Sequence, residues 1–297
     1  MQAIQAKINK KAFKSSGEYK KKLSPADKRN LWFGRIFIWI MIVLTIFPVI
    51  AVVSASMAKG QAFNQTTLFP KEWTLDNYVK VLTETDFLIW LKNSLILCTC
   101  VSVIQLLLTL PASFAFSKLK FRGRKSGLMF LLILQMFPTM MALPAILGIA
   151  YRLEAMDNMF ALILILCGGS AYNIWLLKGY MDGVPNDLME AAYVDGATTW
   201  QVFTRITVPL TRNMLIVIFL FTFIGTYSEF VFTSALMKAP ENQTIATGLK
   251  SFITNNFSAN WTQYSAAAIM ASFPLVILFV CSQKYIAEGL VAGSVKG

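Results

Sequence analysis

Six strongly apolar stretches run along the chain, and polar or charged segments separate them. Each stretch has about the 20 residues that an α-helix needs to cross the hydrocarbon core of a bilayer. The pattern therefore predicts an all-α membrane protein, a polytopic bundle of about six transmembrane helices. The predicted spans are residues 36–57, 89–116, 127–150, 159–179, 213–236 and 266–286.

The longest amphipathic passage lies between the fourth and fifth spans and runs from Pro185 to Pro209. We predict two short helices joined by Gly196, which can take the left-handed conformation that closes a helix. Pro185 suits the first position of the first helix. Thr198 and Gln201 have the spacing of a capping box, and Pro209 is expected to end the second helix. Such a pair of helices either lies against the protein's own spans or docks on a partner protein.

The composition supports a membrane protein. Hydrophobic residues make up 56% of the 297 residues and charged residues 14%, whereas soluble domains have about 45–50% and about 25%. The formal net charge is +12, and basic residues are typical of the cytoplasmic loops of membrane proteins. No nucleic-acid-binding motif accompanies this charge. We therefore expect a multi-pass protein of the cell membrane, in contact with the lipid bilayer and with no nucleic acid.

The distribution of basic residues predicts the topology. Residues 118–125 contain five Lys or Arg and no acid, and nine more precede Arg35. The segment 58–88 instead mixes three lysines with four acids. Since Lys and Arg are enriched on the cytoplasmic side, we expect both termini, the 118–125 link and the 185–209 loop to be cytoplasmic.

Several polar side chains lie inside the predicted spans, where they are costly. Glu229, Asn173, Gln135 and Gln105 occupy the fifth, fourth, third and second spans, in that order. An acid at the centre of a bilayer costs about 2.5–3.5 kcal/mol on insertion scales. Glu229, Asn173 and Gln135 are therefore candidates for a translocation path. The alternative is that such groups make hydrogen bonds between helices.

The residues needed for catalysis are missing. The chain has no histidine, and its four cysteines all lie in apolar segments, so the pattern predicts no metal site. It has no G-x-x-x-x-G-K-[ST] sequence, the loop that cradles nucleotide phosphates. We therefore predict no catalytic residue, no enzymatic activity and no cofactor bound by this chain.

The 185–209 loop resembles the EAA loop of ABC importer permeases. The resemblance rests on Glu190-Ala191-Ala192, then Asp195-Gly196-Ala197, then Pro209. Further matches to the sugar-uptake branch, in its maltose/maltodextrin type, are Gln135-Met136-Phe137-Pro138, Asn93-Ser94-Leu95 and Ala115-Phe116-Ser117-Lys118. The resemblance covers nearly all of the chain after about residue 35.

This resemblance implies that the loop couples the membrane domain to a separate ATPase. The implied coupling residues are Glu190, Ala191, Ala192, Asp195, Gly196, Ala197 and Pro209. The implied partners are a second, MalF-like permease, a MalK-like ATPase dimer that holds Mg-ATP, and an extracellular sugar-binding protein.

We accordingly divide the chain into three parts. Residues 1–34 form a basic cytoplasmic N-terminal tail, residues 35–288 the permease domain with the EAA loop at 185–209, and residues 289–297 a cytoplasmic C-terminal tail. The expected function is ATP-driven import of a carbohydrate, with maltose or maltodextrin favoured. The alternatives are a permease for another oligosaccharide, a sugar alcohol or glycerol phosphate and, more distantly, an ion-coupled secondary transporter, a membrane-embedded enzyme or a structural anchor.

Overall fold

The computed structural model describes residues 24–60, 69–254 and 259–292. Within these ranges the regular structure is helical, apart from an isolated antiparallel bridge between Ala58 and Trp73. The prediction of an all-α membrane protein is therefore confirmed.

Thirteen α-helices follow one another in the described parts of the chain. They are α1 (Pro25–Ser56), α2 (Asp76–Glu84), α3 (Phe87–Lys118), α4 (Arg124–Gln135), α5 (Leu143–Arg152), α6 (Met159–Cys167), α7 (Ala171–Asp182), α8 (Asp187–Val194), α9 (Thr199–Val202), α10 (Val208–Tyr227), α11 (Val231–Leu236), α12 (Ile245–Ser251) and α13 (Trp261–Ala292).

Five helical segments in the described ranges are long and apolar enough to span a membrane, and a bent pair makes a sixth. The five are Asp27–Ser56, Phe87–Lys118, Met159–Asp182, Thr199–Tyr227 and Trp261–Ile286. The predicted number of spans is thus confirmed. The fifth predicted span, 213–236, was misplaced, because its helix starts at Thr199 and stops at Tyr227.

The third span is broken and is not the single helix predicted over 127–150. Its two halves, Arg124–Gln135 and Met140–Arg152, meet at an angle of 74°. Pro138 lies at the break with an extended backbone, φ −62° and ψ 109°. Because proline lacks an N–H and its ring clashes with the preceding turn, a helix cannot continue straight through it.

The residues from 52 onward form one compact unit around α3. Three apolar clusters follow one another along this helix, centred on Trp90, on Leu97 and on Phe114. They pack α3 against α12, against α6, and against α7 and α10.

The chain segments that link the spans gather at two ends of this unit. At one end, Asn77 donates to the carbonyl oxygens of Ser56 and Ala58, while Asn93 donates to those of Glu241 and Gln243. At the opposite end of α3, Lys118 contacts the start of the EAA loop. The contacts confirm that the 118–125 link and the EAA loop share one end, as the charge pattern predicted. Which end faces the cytoplasm stays a prediction.

The described residues up to Ala51, the N-terminal part of α1, belong to a separate unit. Its first turn is closed by Ser24 and Asp27, each of which accepts a hydrogen bond from the other's backbone N–H. The large apolar side chains of this part of α1, from Leu31 to Ile50, are exposed. The helix begins at Pro25, so the last ten residues of the predicted 1–34 tail are helical, while residues 1–23 lie outside the described part.

Candidate functional site

The first helix of the EAA loop, α8, lies on the protein surface. Among its eight residues only Met189 is buried, at 5% exposure. Leu188, Tyr193 and Val194 are exposed, and Val194 reaches 88%. The helix therefore presents apolar side chains that the described residues leave uncovered. Its first turn carries Asp187 and Glu190, where the helix dipole favours negative charge.

Gly196 closes α8 as predicted. Its φ is +83°, in the left-handed region where a side chain costs about 1–2 kcal/mol. The Gly196 N–H donates to the carbonyl oxygen of Tyr193, and the Ala197 N–H donates to that of Ala192. This pair of bonds is the Schellman arrangement that satisfies the last carbonyls of a helix. Space does not require glycine here, because a Cβ at this position would meet nothing within 4 Å.

The capping box at the start of the second helix, α9, is confirmed. The Gln201 N–H donates to Thr198 Oγ1 at 3.3 Å, and the Thr198 N–H donates to Gln201 Oε1 at 2.7 Å. These reciprocal bonds satisfy two backbone donors that a helix start leaves free. The prediction for Pro185 was wrong, because α8 begins at Asp187. Pro185 therefore belongs to the preceding turn and not to the first helical position.

Pro209 does not end the second helix, contrary to the prediction. A π-helical turn at Phe203–Thr207 joins α9 to α10, and Pro209 lies in the first turn of α10. Within the π turn, Thr207 Oγ1 donates to the carbonyl oxygen of Val202. The wider turn and the first-turn position accommodate a proline without breaking the helix. The EAA loop thus continues directly into the fifth span.

The structure brings six of the seven predicted coupling residues together around the end of α8. Glu190, Ala191, Asp195 and Gly196 are exposed, and Ala192 and Ala197 are half-buried. A small cleft of about 290 Å³ lies beside them and is lined by Asp195, Gly196, Ala197, Gln201, Arg205 and Ile206. Pro209, also exposed, is separated from this group by α9 and the π turn.

A second, larger cleft brings together two of the three predicted path residues. Gln135 and Glu229 both line it, with Phe137 and Phe232 among its apolar walls, and its volume is about 460 Å³. It lies where the broken third span meets the end of the fifth. Asn173 is not among the lining residues.

The carboxylate of Glu229 is engaged locally. Its oxygens accept the backbone N–H groups of Phe232 at 2.7 Å and Thr233 at 2.9 Å, and the Thr233 hydroxyl at 2.6 Å. Glu229 therefore caps α11, the short helix that follows the break at the end of α10. Such bonds satisfy the backbone donors that a helix start leaves free. The sequence analysis expected a bond to another helix or a path residue, and it missed this capping role.

Asn173 belongs to a hydrogen-bond network between four helices. Its amide donates to Gln105 Oε1 at 2.9 Å and to Thr222 Oγ1 at 3.2 Å. Gln105 in turn donates to the carbonyl oxygen of Leu166. The network therefore joins α3, α6, α7 and α10. This agrees with the alternative given in the sequence analysis, in which such polar groups make hydrogen bonds between helices.

The sequence analysis missed a polar stripe on α3 that continues this network. Ser113 donates to the carbonyl oxygen of Ile174, and Ser117 donates to Asp182. The signal was present, because polar residues recur along α3 at spacings of three, four and eight residues, which fall on one helix face. The stripe consists of Ser94, Ser102, Gln105, Thr109, Ser113 and Ser117, all buried.

Comparison with known proteins gives the family. Residues 105–291 match the family model described as "Binding-protein-dependent transport system inner membrane component". The chain is 36% identical over 263 residues to the maltodextrin transport system permease protein MdxG of Bacillus subtilis (strain 168). The aligned region covers 88% of this chain and 95% of that protein. The chain is 32% identical over 272 residues to the galactooligosaccharides transport system permease protein GanQ of the same organism, over 90% of this chain and 96% of that protein.

A solved structure gives the fold. The chain is similar to one in the crystal structure of a bacterial ABC transporter involved in the import of the acidic polysaccharide alginate. The TM-score is 0.77 at 22% sequence identity, over 90% of this chain and 100% of that chain. This likeness supports the helical-bundle fold. On the family match and the two relatives, this chain belongs to the inner-membrane components of binding-protein-dependent transport systems.

Proposed function

We propose that this chain is the permease subunit of an ATP-driven importer for oligosaccharides of the maltodextrin class. The observation that carries the substrate class is the 36% identity to a maltodextrin permease over 88% of the chain. The identity extends over almost the full length of both proteins, so it includes the spans as well as the EAA loop.

The EAA loop couples the membrane domain to a separate ATPase in this proposal. Support comes from the exposed apolar side chains of α8, Leu188, Tyr193 and Val194, at the end of the unit that also holds the basic 118–125 link. Burying a side chain such as Val194 against a partner would contribute about 1.5–3 kcal/mol. The partner protein that binds the coupling residues is therefore expected to have an apolar cavity on its surface. Mg-ATP binds to that partner, because this chain has no phosphate-binding loop.

The cleft at Gln135 and Glu229 forms this chain's wall of the translocation path. Its polar groups lie among apolar and aromatic side chains, a lining suited to the hydroxyl groups and apolar faces of a sugar. Asn173 contributes by holding the helices behind the wall. The other wall belongs to a second permease, and an extracellular sugar-binding protein delivers the substrate. The family description, which names a binding-protein-dependent system, supports a binding-protein partner.

Uptake measurements test the substrate class. A strain that lacks this chain should lose uptake of radiolabelled maltotetraose, and plasmid-borne wild-type chain should restore it. Unchanged maltotetraose uptake in the deletion strain would contradict the maltodextrin assignment. The second candidate substrate is a galactooligosaccharide, favoured by the 32% identity to GanQ. A parallel assay with labelled galactooligosaccharide separates the two.

Co-purification tests the coupling surface. An affinity-tagged chain extracted in mild detergent should retain its ATPase subunit, and Val194→Asp should remove most of it, because a carboxylate would have to be desolvated in the apolar contact. The matched control is Leu75→Asp, at an exposed leucine before α2 and at the opposite end of the unit. Equal ATPase recovery with both variants would contradict the proposed docking role of α8.

A further inference from the structure

The last residue of α3, Lys118, is bonded to the turn that leads into α8. Its ammonium donates to the carbonyl oxygen of Val184 at 2.7 Å and to Oδ1 of Asn186 at 2.9 Å. Asn186 lies at the N-cap position of α8, yet its side chain makes no capping bond. The amide oxygen that could satisfy the helix start therefore accepts from Lys118 instead. We name these three residues the Lys118 clasp.

Neighbouring contacts hold the same turn from its other side. Asp182 ends α7 just before the turn, and its carboxylate accepts from Ser117 Oγ at 2.8 Å and from Lys178 Nζ at 2.5 Å. Arg124, the first residue of α4, donates to the carbonyl oxygens of Phe116 and Ser117, both at 2.6 Å. The end of α3 is thus fixed to α4, α7 and the start of α8.

The positive charge of Lys118 strengthens the connection between α3 and the start of α8. An ammonium at the C-terminal end of α3 lies where the helix dipole favours a cation. Its bonds to the carbonyl and amide oxygens are charge-assisted, so they are stronger than neutral ones. Lys118 is only half-buried, so the charge stays partly hydrated and its desolvation cost is small.

The far end of α3 carries a similar arrangement. Asn93 donates to the carbonyl oxygens of Glu241 at 2.7 Å and Gln243 at 2.9 Å, and Ser94 Oγ accepts the N–H of Ile245, the first residue of α12. At 1.5 Å per residue, the 32 residues of α3 extend over about 48 Å. One helix therefore links the turn before α8 with the 240–251 segment at the opposite end.

We propose that Lys118 is a positioning residue for coupling: it fixes the start of α8 to α3, so that a displacement of α8 also moves α3. This inference rests on the proposed function, in which α8 docks on an ATPase. The backbone attaches the loop only to α7 and α10. The Lys118 clasp also attaches the loop to α3, which contacts both α7 and α10. Through Asn93, α3 is in turn bonded to the 240–251 segment at the other end of the unit.

The test uses the complete transporter in proteoliposomes and compares three variants. Lys118→Met keeps the aliphatic stem and removes the charge. Lys118→Arg keeps donors that reach both oxygens. Lys120→Met is the matched control, since Lys120 is exposed in the same link and carries the same charge. The readouts are the ATPase recovered with the complex, the rate of ATP hydrolysis, and the sugar transported per ATP hydrolysed.

We expect Lys118→Met to retain its ATPase and its hydrolysis within about twofold, while transport per ATP falls about tenfold. Lys118→Arg should restore most of that ratio, and Lys120→Met should match the wild type. A wild-type ratio in Lys118→Met overturns the inference. Loss of the ATPase subunit from Lys118→Met also overturns it, because Lys118 would then belong to the docking surface.

A second variant covers the case in which Lys118→Met does not accumulate in the membrane. Asn186→Ala removes one acceptor and leaves all charges in place, and it should lower transport per ATP about two- to fivefold. An unchanged ratio in Asn186→Ala overturns the inference in that case. Failure of the proposed function is distinguishable, because the wild-type chain would then recover no ATPase at all.

Discussion

Gly248 of α12 lies directly against the indole ring of Trp90 in α3. A Cβ atom on Gly248 would be 2.1 Å from Cδ2 of Trp90 and 2.3 Å from its Cε3. Trp90 is buried and also packs edge-on against Phe252, with ring centroids 6.1 Å apart. Two helices far apart in the sequence therefore approach so closely that only a hydrogen atom fits between them.

We expect Gly248→Ala to destabilise the protein by about 1–3 kcal/mol, the usual cost of overpacking a rigid core. The measurement is the thermal unfolding midpoint of the purified chain in detergent. The matched control is Gly225→Ala in α10, where a Cβ would meet nothing within 4 Å. That substitution should leave the midpoint unchanged or raise it, since alanine favours a helix interior over glycine. Equal midpoints for the two variants would show that the Trp90 contact adapts without cost.

At position 196, asparagine should be the best tolerated substitution for glycine, alanine should be tolerated less well, and proline least. The Gly196 φ of +83° suits asparagine better than other non-glycine residues, costs alanine about 1–2 kcal/mol and is closed to proline, whose φ is fixed near −65°. Proline would also remove the N–H that bonds to Tyr193. We expect Gly196→Pro to insert and assemble but to lose sugar-stimulated ATP hydrolysis, and Gly196→Asn to keep most of it. Normal transport by Gly196→Pro would refute the role of this turn in coupling.

Glu229 should act through the cap that it provides to α11. Glu229→Ala removes an acceptor for two backbone N–H groups, and we expect a loss of about 0.5–2 kcal/mol in stability, as for other helix caps. Glu229→Gln keeps one amide oxygen as an acceptor and should lose less than half as much. Sugar uptake, measured together with the unfolding midpoint, separates the capping role of Glu229 from a role in the translocation path. If Glu229→Gln is as stable as the wild type but transports poorly, the charge itself acts in the path.

The Asn173–Gln105 hydrogen bond should be visible as a coupling energy. We expect Asn173→Leu and Gln105→Leu each to destabilise the chain, and the double variant to lose less than the sum. The difference should be about 0.6 kcal/mol, the average found for hydrogen bonds between membrane helices, and at most about 1.7 kcal/mol. Unfolding in a denaturing detergent titration gives the four free energies of the cycle. Strict additivity would indicate that the two amides do not depend on each other.

Proline positions show where sequence patterns were ambiguous. Pro138 breaks the third span by 74°, while Pro209 lies in the first turn of α10 within a continuous helix. Pro138 lies in the middle of the predicted span 127–150, and Pro209 precedes the predicted span 213–236, yet a helix continues only through the second of these prolines. The difference lies in what surrounds each proline: a π turn bonded through Thr207 precedes Pro209.

The sequence by itself determined the number of spans, the surface helix pair, its capping box and the need for Gly196. These features depend on apolar length, on bonds over three to five residues and on one backbone angle, all of which are local. Only the tertiary structure decided that Lys118 bonds to Asn186, that Asn173 bonds to Gln105 and that Gly248 faces Trp90. These partners are 68, 68 and 158 residues apart. Their meeting depends on how whole helices pack, which the periodicity of each helix alone does not specify.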